Sequence, residues 1–362
     1  MAIELQQVTK KVAGEMHIHA TDLQLYPEGF NVLLGETGAG KTTLIKLMAG
    51  LEKPTSGRVL FGGADVTKLS PQKRNISLVH QFFINYPNMT VYENIASPLR
   101  VAKYDRKEID RRVREAAEVM KLGPMLERRP QQLSGGQQQR TALARAIVKE
   151  SDLVLLDEPL ANLDYKLRED LREELPRIFA DRGATVVYAT SEPTEALLLE
   201  GHTATVRQGR VTEFGRTEEL YRRPEFFETA DVFSDPPINS GEIRKEGSRL
   251  ELNTITWEAP AFLRDEPDGP YRVGIRPHFV SPREEVESPV ELVGKVLVTE
   301  LSGSESVAHF TTPSGNTWVS QSHGVHPFQI GEDHKFYINP AGFLYFRTDG
   351  TRVSAAAEMA TL

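Results

Sequence analysis

Cysteine is absent from the 362 residues, which excludes disulfides, thiolate zinc sites and cysteine nucleophiles and fits a reducing compartment. No stretch approaches the ~18 consecutive apolar residues that a membrane-spanning helix requires, so any membrane association is expected to run through a partner. A basic excess is missing too. Lysine and arginine number 43 against 51 acidic residues, a net charge of −8, so no general positive field would hold a nucleic-acid backbone and none is expected as a partner. Met1-Ala2-Ile3-Glu4-Leu5 lacks the charged leader and apolar run of a signal peptide. Internal repeats and low-complexity segments are not found. The length exceeds what one compact core holds, so two domains are expected.

What is present is organised around Gly35-Glu36-Thr37-Gly38-Ala39-Gly40-Lys41-Thr42, which fits G-x-x-x-x-G-K-[ST]. The apolar run Asn31 to Leu34 precedes it and a helical pattern from Thr43 to Met48 follows; a Gly-rich turn matching by chance would lack these flanks. The glycines accept positive φ, successive backbone N–H groups converge, and the helix N-terminus adds partial positive charge. The loop therefore reads as a phosphate nest. Lys41 would reach the β- and γ-phosphates, the Thr42 hydroxyl would bind Mg²⁺, and Thr43 would touch the α-phosphate.

Along the chain, alternation over Ile3 to Lys10 and Met16 to Leu25 predicts an antiparallel edge. Strands are expected at Arg58 to Phe61, Ile76 to His80, Asp152 to Leu156 and Thr185 to Ala189. The last two are near-continuous apolar runs of the kind found in a parallel sheet covered on both faces. Thr90 to Glu127 is helical in period, with Val113, Ala116, Ala117 and Met120 on one face and a solvated charged face carrying Arg111, Arg112 and Arg114. Tyr165 to Phe179 reads as an amphipathic helix with a kink at Pro176, and Gln208-Gly209 as a hairpin turn. Beyond Pro236-Pro237, short strands separated by Gly, Pro, Asn and Ser turns predict a small β-barrel, with Phe343, Tyr345 and Phe346 as barrel packing.

One phosphate loop names only a reaction class. The discriminating run is Leu133-Ser134-Gly135-Gly136-Gln137, followed one helix later by Val154-Leu155-Leu156-Asp157-Glu158-Pro159 and Asn162-Leu163-Asp164. Here the chain resembles the ATP-binding-cassette ATPases, and within them the carbohydrate and polyol importers, strongly over Ile3 to Pro236 and weakly beyond. The fold implied is an α/β P-loop NTPase with a RecA-like core, an antiparallel β edge and a helical subdomain over about 88–150, together spanning 1–235. A C-terminal all-β OB-like domain over 236–362, of the kind importers append for dimerisation and regulation, follows. ATP and Mg²⁺ are the cofactors implied.

By that resemblance Asp157, Thr42 and Gln81 hold Mg²⁺, and Glu158 orients and deprotonates the attacking water, a role that needs hydrogen-bond reach. Ser134 and the Gly135-Gly136 backbone open a helix that forms a second phosphate-binding N-terminus. In the family this turn closes over the nucleotide of a partner subunit, beside the loop of Asp164. The apolar stretch after Gln81, including Phe82, Phe83, Ile84, Tyr86, Met89, Val91 and Tyr92, corresponds to a cleft that receives a transmembrane permease; local core is the plainer reading of the same residues. A periplasmic solute-binding protein is the indirect partner, and the cytoplasmic face of the bacterial inner membrane the expected place.

Two departures sharpen the reading. The family's γ-phosphate histidine is replaced by Ser191 within Thr190-Ser191-Glu192-Pro193, and losing one transition-state donor typically costs ~2.7–4 kcal/mol. His202 lies beyond the next helix and reads as an ordinary strand-start residue. The aromatic that stacks on adenine is also missing, leaving Val12 and its neighbours as aliphatic contacts. The signature turn is intact. These departures point to an asymmetric heterodimer, and the pattern including Asn85-Tyr86-Pro87 after Gln81 and Tyr188-Ala189-Thr190-Ser191-Glu192-Pro193 looks like one of the two unlike ATPases of proteobacterial glycerol importers. A homodimeric sugar or glycerol-phosphate importer ATPase, a mainly nucleotide-binding regulatory subunit and a repair or ribosomal cassette are the alternatives. The last lacks its zinc cysteines, coiled-coil insertion or second cassette here.

Overall fold

The computed structural model describes residues 2–353 except 162, 181, 182, 254 and 286–288, so Asn162 of the acidic motif lies outside the described residues. Two compact units are formed, Met1–Glu219 and Leu220–Leu362.

In the first unit a six-stranded sheet runs in the order Arg210–Arg216, His202–Arg207, Phe30–Leu34, Thr185–Thr190, Leu153–Asp157, Ile76–Val79. All neighbours are parallel except the first pair. Every residue of Phe30–Leu34, Leu153–Asp157 and Thr185–Thr190 is buried, which is why these segments read as unbroken apolar runs instead of alternating. A second, antiparallel sheet orders Glu15–Gln24, Ile3–Val12, Ser56–Phe61 and Ala64–Asp65. Helix Lys41–Ala49 buries Leu44, Ile45, Leu47 and Met48 in one core with Ile3, Leu5 and Ile18 of this sheet and Leu33, Leu155, Val187 and Val206 of the parallel one. Gly50 ends the helix with φ 74°, as the left-handed C-terminal position requires.

The predicted helical stretch from Thr90 divides in two, Val91–Val101 and Arg106–Val119. Thr90 and Glu93 form a reciprocal capping box on the first. Asp105 starts the second by accepting from the Lys107 and Glu108 amides at 2.9 and 3.0 Å; the short polar cap, not the apolar period, sets that boundary. Its charged face is solvated as expected: Glu108 pairs with Arg111 and Arg112, which hold its carboxyl down to about 2. Helix Tyr165–Ala180 contains Pro176 within its span.

The second unit is an all-antiparallel OB-like domain. Its strands order as Ile255–Glu258, Arg249–Leu252, Asn239–Glu246, Gly269–Ile275, Leu344–Phe346 in one sheet. Val280–Ser281, Asp333–Ile338, Val290–Leu301, Glu305–Thr311 and Thr317–His323 form the other. Between them lie Ile243, Val273, Leu292, Phe310, Trp318, Phe336, Phe343 and Tyr345. Phe346 turns away from this core into a smaller one with Phe227, Ala230 and Ile238, so residues 220–235, assigned from sequence to the first domain, pack with the second. The unit boundary therefore precedes the Pro236-Pro237 turn: Phe227 meets Phe346 edge-on at 5.4 Å, and that apolar contact outweighs the change in composition.

Phe310 stacks on Phe336 at 3.8 Å, and a Cβ added at Gly294 would drive into the Phe310 ring. Gly294→Ala is expected to destabilise this unit by ~1–3 kcal/mol, read as a lowered midpoint in chemical denaturation; an unchanged midpoint would show that the ring pair relaxes freely.

Candidate functional site

Four of the five parallel strands lead to candidate residues on one edge of the sheet, which is where ligands bind in such folds. Leu34 leads into the phosphate loop, Val79 to Gln81, Asp157 to Glu158 and Thr190 to Ser191. Residues far apart in sequence are brought together because their strands share a direction.

The loop is fixed by close packing. A Cβ on Gly35 would overlap the Val206 carbonyl, and one on Gly40, at φ 113°, would lie 2.8 Å from Ile18 Cδ1. The Gly35 amide donates to Thr190 O at 3.3 Å, and Gly209 donates to Ala39 O at 2.8 Å. The Gln208-Gly209 hairpin thus braces the loop, a role its sequence did not signal.

Lys41 is buried, with Nζ donating to the Gly35 and Glu36 carbonyls at 2.7 and 3.0 Å. Burial lowers its pKa, partly countered by Glu158 and then Asp157. Glu158 Oε1 lies 3.5 Å from Nζ, and Glu158 Oε2 accepts from Gln81 Nε2 at 2.9 Å. The Thr42 hydroxyl donates to Asp157 Oδ1 at 3.0 Å. Burial raises the Asp157 pKa, against the Thr42 hydrogen bond and the charge of His80. Asp157 Oδ2 is buried without a hydrogen-bond partner. An orphaned carboxylate oxygen on a residue joined to a threonine hydroxyl offers the oxygen donors a hard divalent cation takes, so Thr42 and Asp157 fit Mg²⁺, while Gln81, the third expected ligand, is hydrogen-bonded to Glu158. Glu158, beside the Lys41 ammonium, is placed to hold a water.

Ser191 is solvent-exposed, and its loop is set by its neighbours. Thr190 Oγ1 donates to buried Glu195 at 2.7 Å and accepts from the Glu192 amide at 3.0 Å, and Tyr188 OH donates to Glu195 at 2.9 Å. Two expected residues lie elsewhere. Val12 sits 40 % exposed at the end of the antiparallel strand. The signature turn stands apart from the phosphate loop, with no hydrogen bond or ion pair joining them among the described residues. Ser134 caps its helix by accepting from the Gln137 amide at 3.3 Å, while Gln137 Oε1 accepts from the Ser134 amide at 3.0 Å. Gly135 has open space in front of it. Asp164 is exposed at the start of helix Tyr165–Ala180.

The stretch after Gln81 divides: Val91 is fully buried, while Phe82 and Ile84 are 78 % and 62 % exposed and Tyr86 is half-exposed. The core reading therefore applies to Val91, while Phe82, Ile84 and Tyr86 leave apolar surface open to solvent. Sequence reasoning missed how this stretch is tied to the signature helix: Asn85 Nδ2 donates to Gln138 O at 2.8 Å, and Arg145 donates to Ile84 O. It also missed His80, whose adjacency to Gln81 was the available signal. His202 stacks on Tyr26 at 3.6 Å, as an ordinary strand-start side chain.

A phosphate loop, a cation-type carboxylate and an adjacent acid at the ends of parallel strands define a P-loop nucleoside triphosphatase of the ATP-binding-cassette class. Residues 18–161 match the ABC transporter family model. The chain is 32 % identical, over 95 % of its length and 97 % of the relative's, to the osmoprotective compounds uptake ATP-binding protein GgtA of Synechocystis sp.. It is 35 % identical, over 97 % of its length and 99 % of the relative's, to the sn-glycerol-3-phosphate import ATP-binding protein UgpC of Rhizobium meliloti. The dimeric post-hydrolysis structure of the cassette MJ0796 with ADP and Pi covers 59 % of this chain and 98 % of its own, with TM-score 0.55 and 29 % identity. The chain belongs to the ABC transporter family, as an importer ATPase subunit of the carbohydrate type that uses ATP with Mg²⁺ and works with transmembrane permease subunits.

Proposed function

We propose that this chain powers uptake of a small polyol or polyol phosphate, glycerol above others, from the cytoplasmic face of a bacterial inner membrane, with a periplasmic solute-binding protein delivering cargo. The observation that carries the hydrolytic part is the joined set of Thr42 with Asp157 and of Glu158 with Lys41 and Gln81. Relatives named for sn-glycerol-3-phosphate import support the cargo class. No helix among the described residues is long and apolar enough to cross a membrane, which agrees with docking through the permease. The exposed Phe82, Ile84 and Tyr86 supply that surface. Tyr86→Ala is expected to reduce permease co-purification several-fold while nucleotide affinity stays the same; undiminished co-purification would remove this surface.

The open signature helix, separate from the phosphate loop, supports ATP held between two subunits. Ser191 and Val12 favour an unlike partner that retains the γ-phosphate histidine, so that this chain lends a sound signature turn and turns over slowly itself. Two identical copies form the second reading, favoured because Lys41, Gln81, Asp157 and Glu158 are all in place in one chain. Mixing purified chains separates them: ATP turnover that rises steeply with the second ATPase supports the asymmetric pair. Strong turnover by this chain alone, unchanged by the other, overturns it.

A further inference from the structure

Glu158 has φ 47°, a left-handed conformation that a residue with a Cβ keeps only when its surroundings impose it. Part of that imposition is local. The Glu158 amide donates to Ala189 O at 3.0 Å, and the turn that follows is closed by Ala161 N to Glu158 O at 3.4 Å and Leu163 N to Leu160 O at 3.2 Å. The rest comes from helix Tyr165–Ala180. Arg168 Nη2 donates to Ala161 O at 3.2 Å, and Nη1 donates to Glu192 Oε1 at 2.7 Å. One guanidinium therefore spans the turn that carries Glu158 and the loop that carries Ser191.

Glu192 is held on its other side as well. Buried Arg172 lies 3.6 Å from Glu192 Oε2 and 3.7 Å from Glu195 Oε1, and Glu195 is itself fixed by Tyr188 and Thr190. The Arg168 end of the bridge is thus tied to a rigid point, and the Ala161 end to a strained one. A planar fork holds two acceptors on separate segments from two different nitrogens in one fixed geometry, whereas a lysine ammonium offers a single point of charge on a flexible stem.

We propose that Arg168 is a positioning residue for ATP hydrolysis: it clamps the Glu158 turn to the Ser191 loop and so keeps the carboxylate in its left-handed setting. No hydrogen bond or ion pair joins it to Glu158 or to the phosphate loop among the described residues. The proposal rests on Glu158 acting as the base that activates water, since misplacing a catalytic group by about 1 Å can cost ~10²-fold.

The test is a double-mutant cycle on the full-length chain in its active assembly, with steady-state ATP kinetics and hydrogen exchange. Arg168→Ala is expected to lower kcat about tenfold or more with the KM for ATP nearly unchanged, a split that general destabilisation does not give. Arg168→Ala with Glu192→Ala should be no slower than the worse single variant. Exchange should rise over residues 158–163 and 190–193 and stay constant over 35–42. A kcat equal to wild type in Arg168→Ala, or losses that multiply independently, overturns the clamp. If Arg168→Ala does not accumulate folded, Arg168→Lys carries the same expectations. Exchange reads the clamp without turnover, so a failure of the base assignment, seen as full activity in Glu158→Gln, is distinguishable from a failure of Arg168.

Discussion

Glu158→Gln is expected to lower ATP turnover by ~10²–10⁴-fold, the usual worth of a positioned general base, while nucleotide still binds. The amide keeps the size of the side chain, and its oxygen can still accept from Gln81 Nε2, now 2.9 Å from Glu158 Oε2. What is removed is the basicity and one negative charge 3.5 Å from Lys41 Nζ. Because that charge competes with a phosphate for the ammonium, ATP affinity should hold or rise. Single-turnover hydrolysis beside equilibrium nucleotide binding measures both quantities. A variant that keeps more than a tenth of the parental rate would show that another group activates the water.

Ser191→His is expected to raise the turnover of this chain's own site by up to ~10²–10³-fold, the magnitude associated with one transition-state donor. The backbone around position 191 is set by Thr190, Glu192 and Glu195 rather than by Ser191 itself, and Ser191 is exposed, so an imidazole enters without displacing core atoms. The gain should appear in kcat more than in KM, because the added contact is made to charge that develops in the transition state. In a mixed assembly the gain should shrink, since the partner's site already turns over. An unchanged rate in both settings would mean that Ser191 is not the limiting position and that asymmetry has no basis in this residue.

The phosphate loop, the Asp157-Glu158 pair and the buried strands were legible because each rests on local pattern. An unbroken apolar run specifies a doubly covered strand, and a Gly-rich loop between strand and helix specifies an anion nest. The hairpin brace of Gly209 on Ala39, the bonds of Asn85 to Gln138 and of Arg145 to Ile84, and the Arg168 bridge were not legible. Each joins residues whose separation in sequence carries no periodic signal. The second domain's start was misplaced for the same reason: Pro236-Pro237 marks a change in local chemistry, whereas the packing of Phe227 on Phe346 is a long-range contact.

By itself the sequence determined the reaction class, the Gly-rich loop between strand and helix, the acid pair at a strand end and a plan of two units, since backbone sterics and apolar period act over a few neighbouring residues. Tertiary structure alone decided that Asp157 presents an unpartnered oxygen beside Thr42 and that Glu158 adopts a left-handed backbone. It also decided that Phe82 and Ile84 face solvent while Val91 does not. Those outcomes depend on which strand lies next to which, and strand adjacency is fixed by the burial of the whole sheet, not by any one segment.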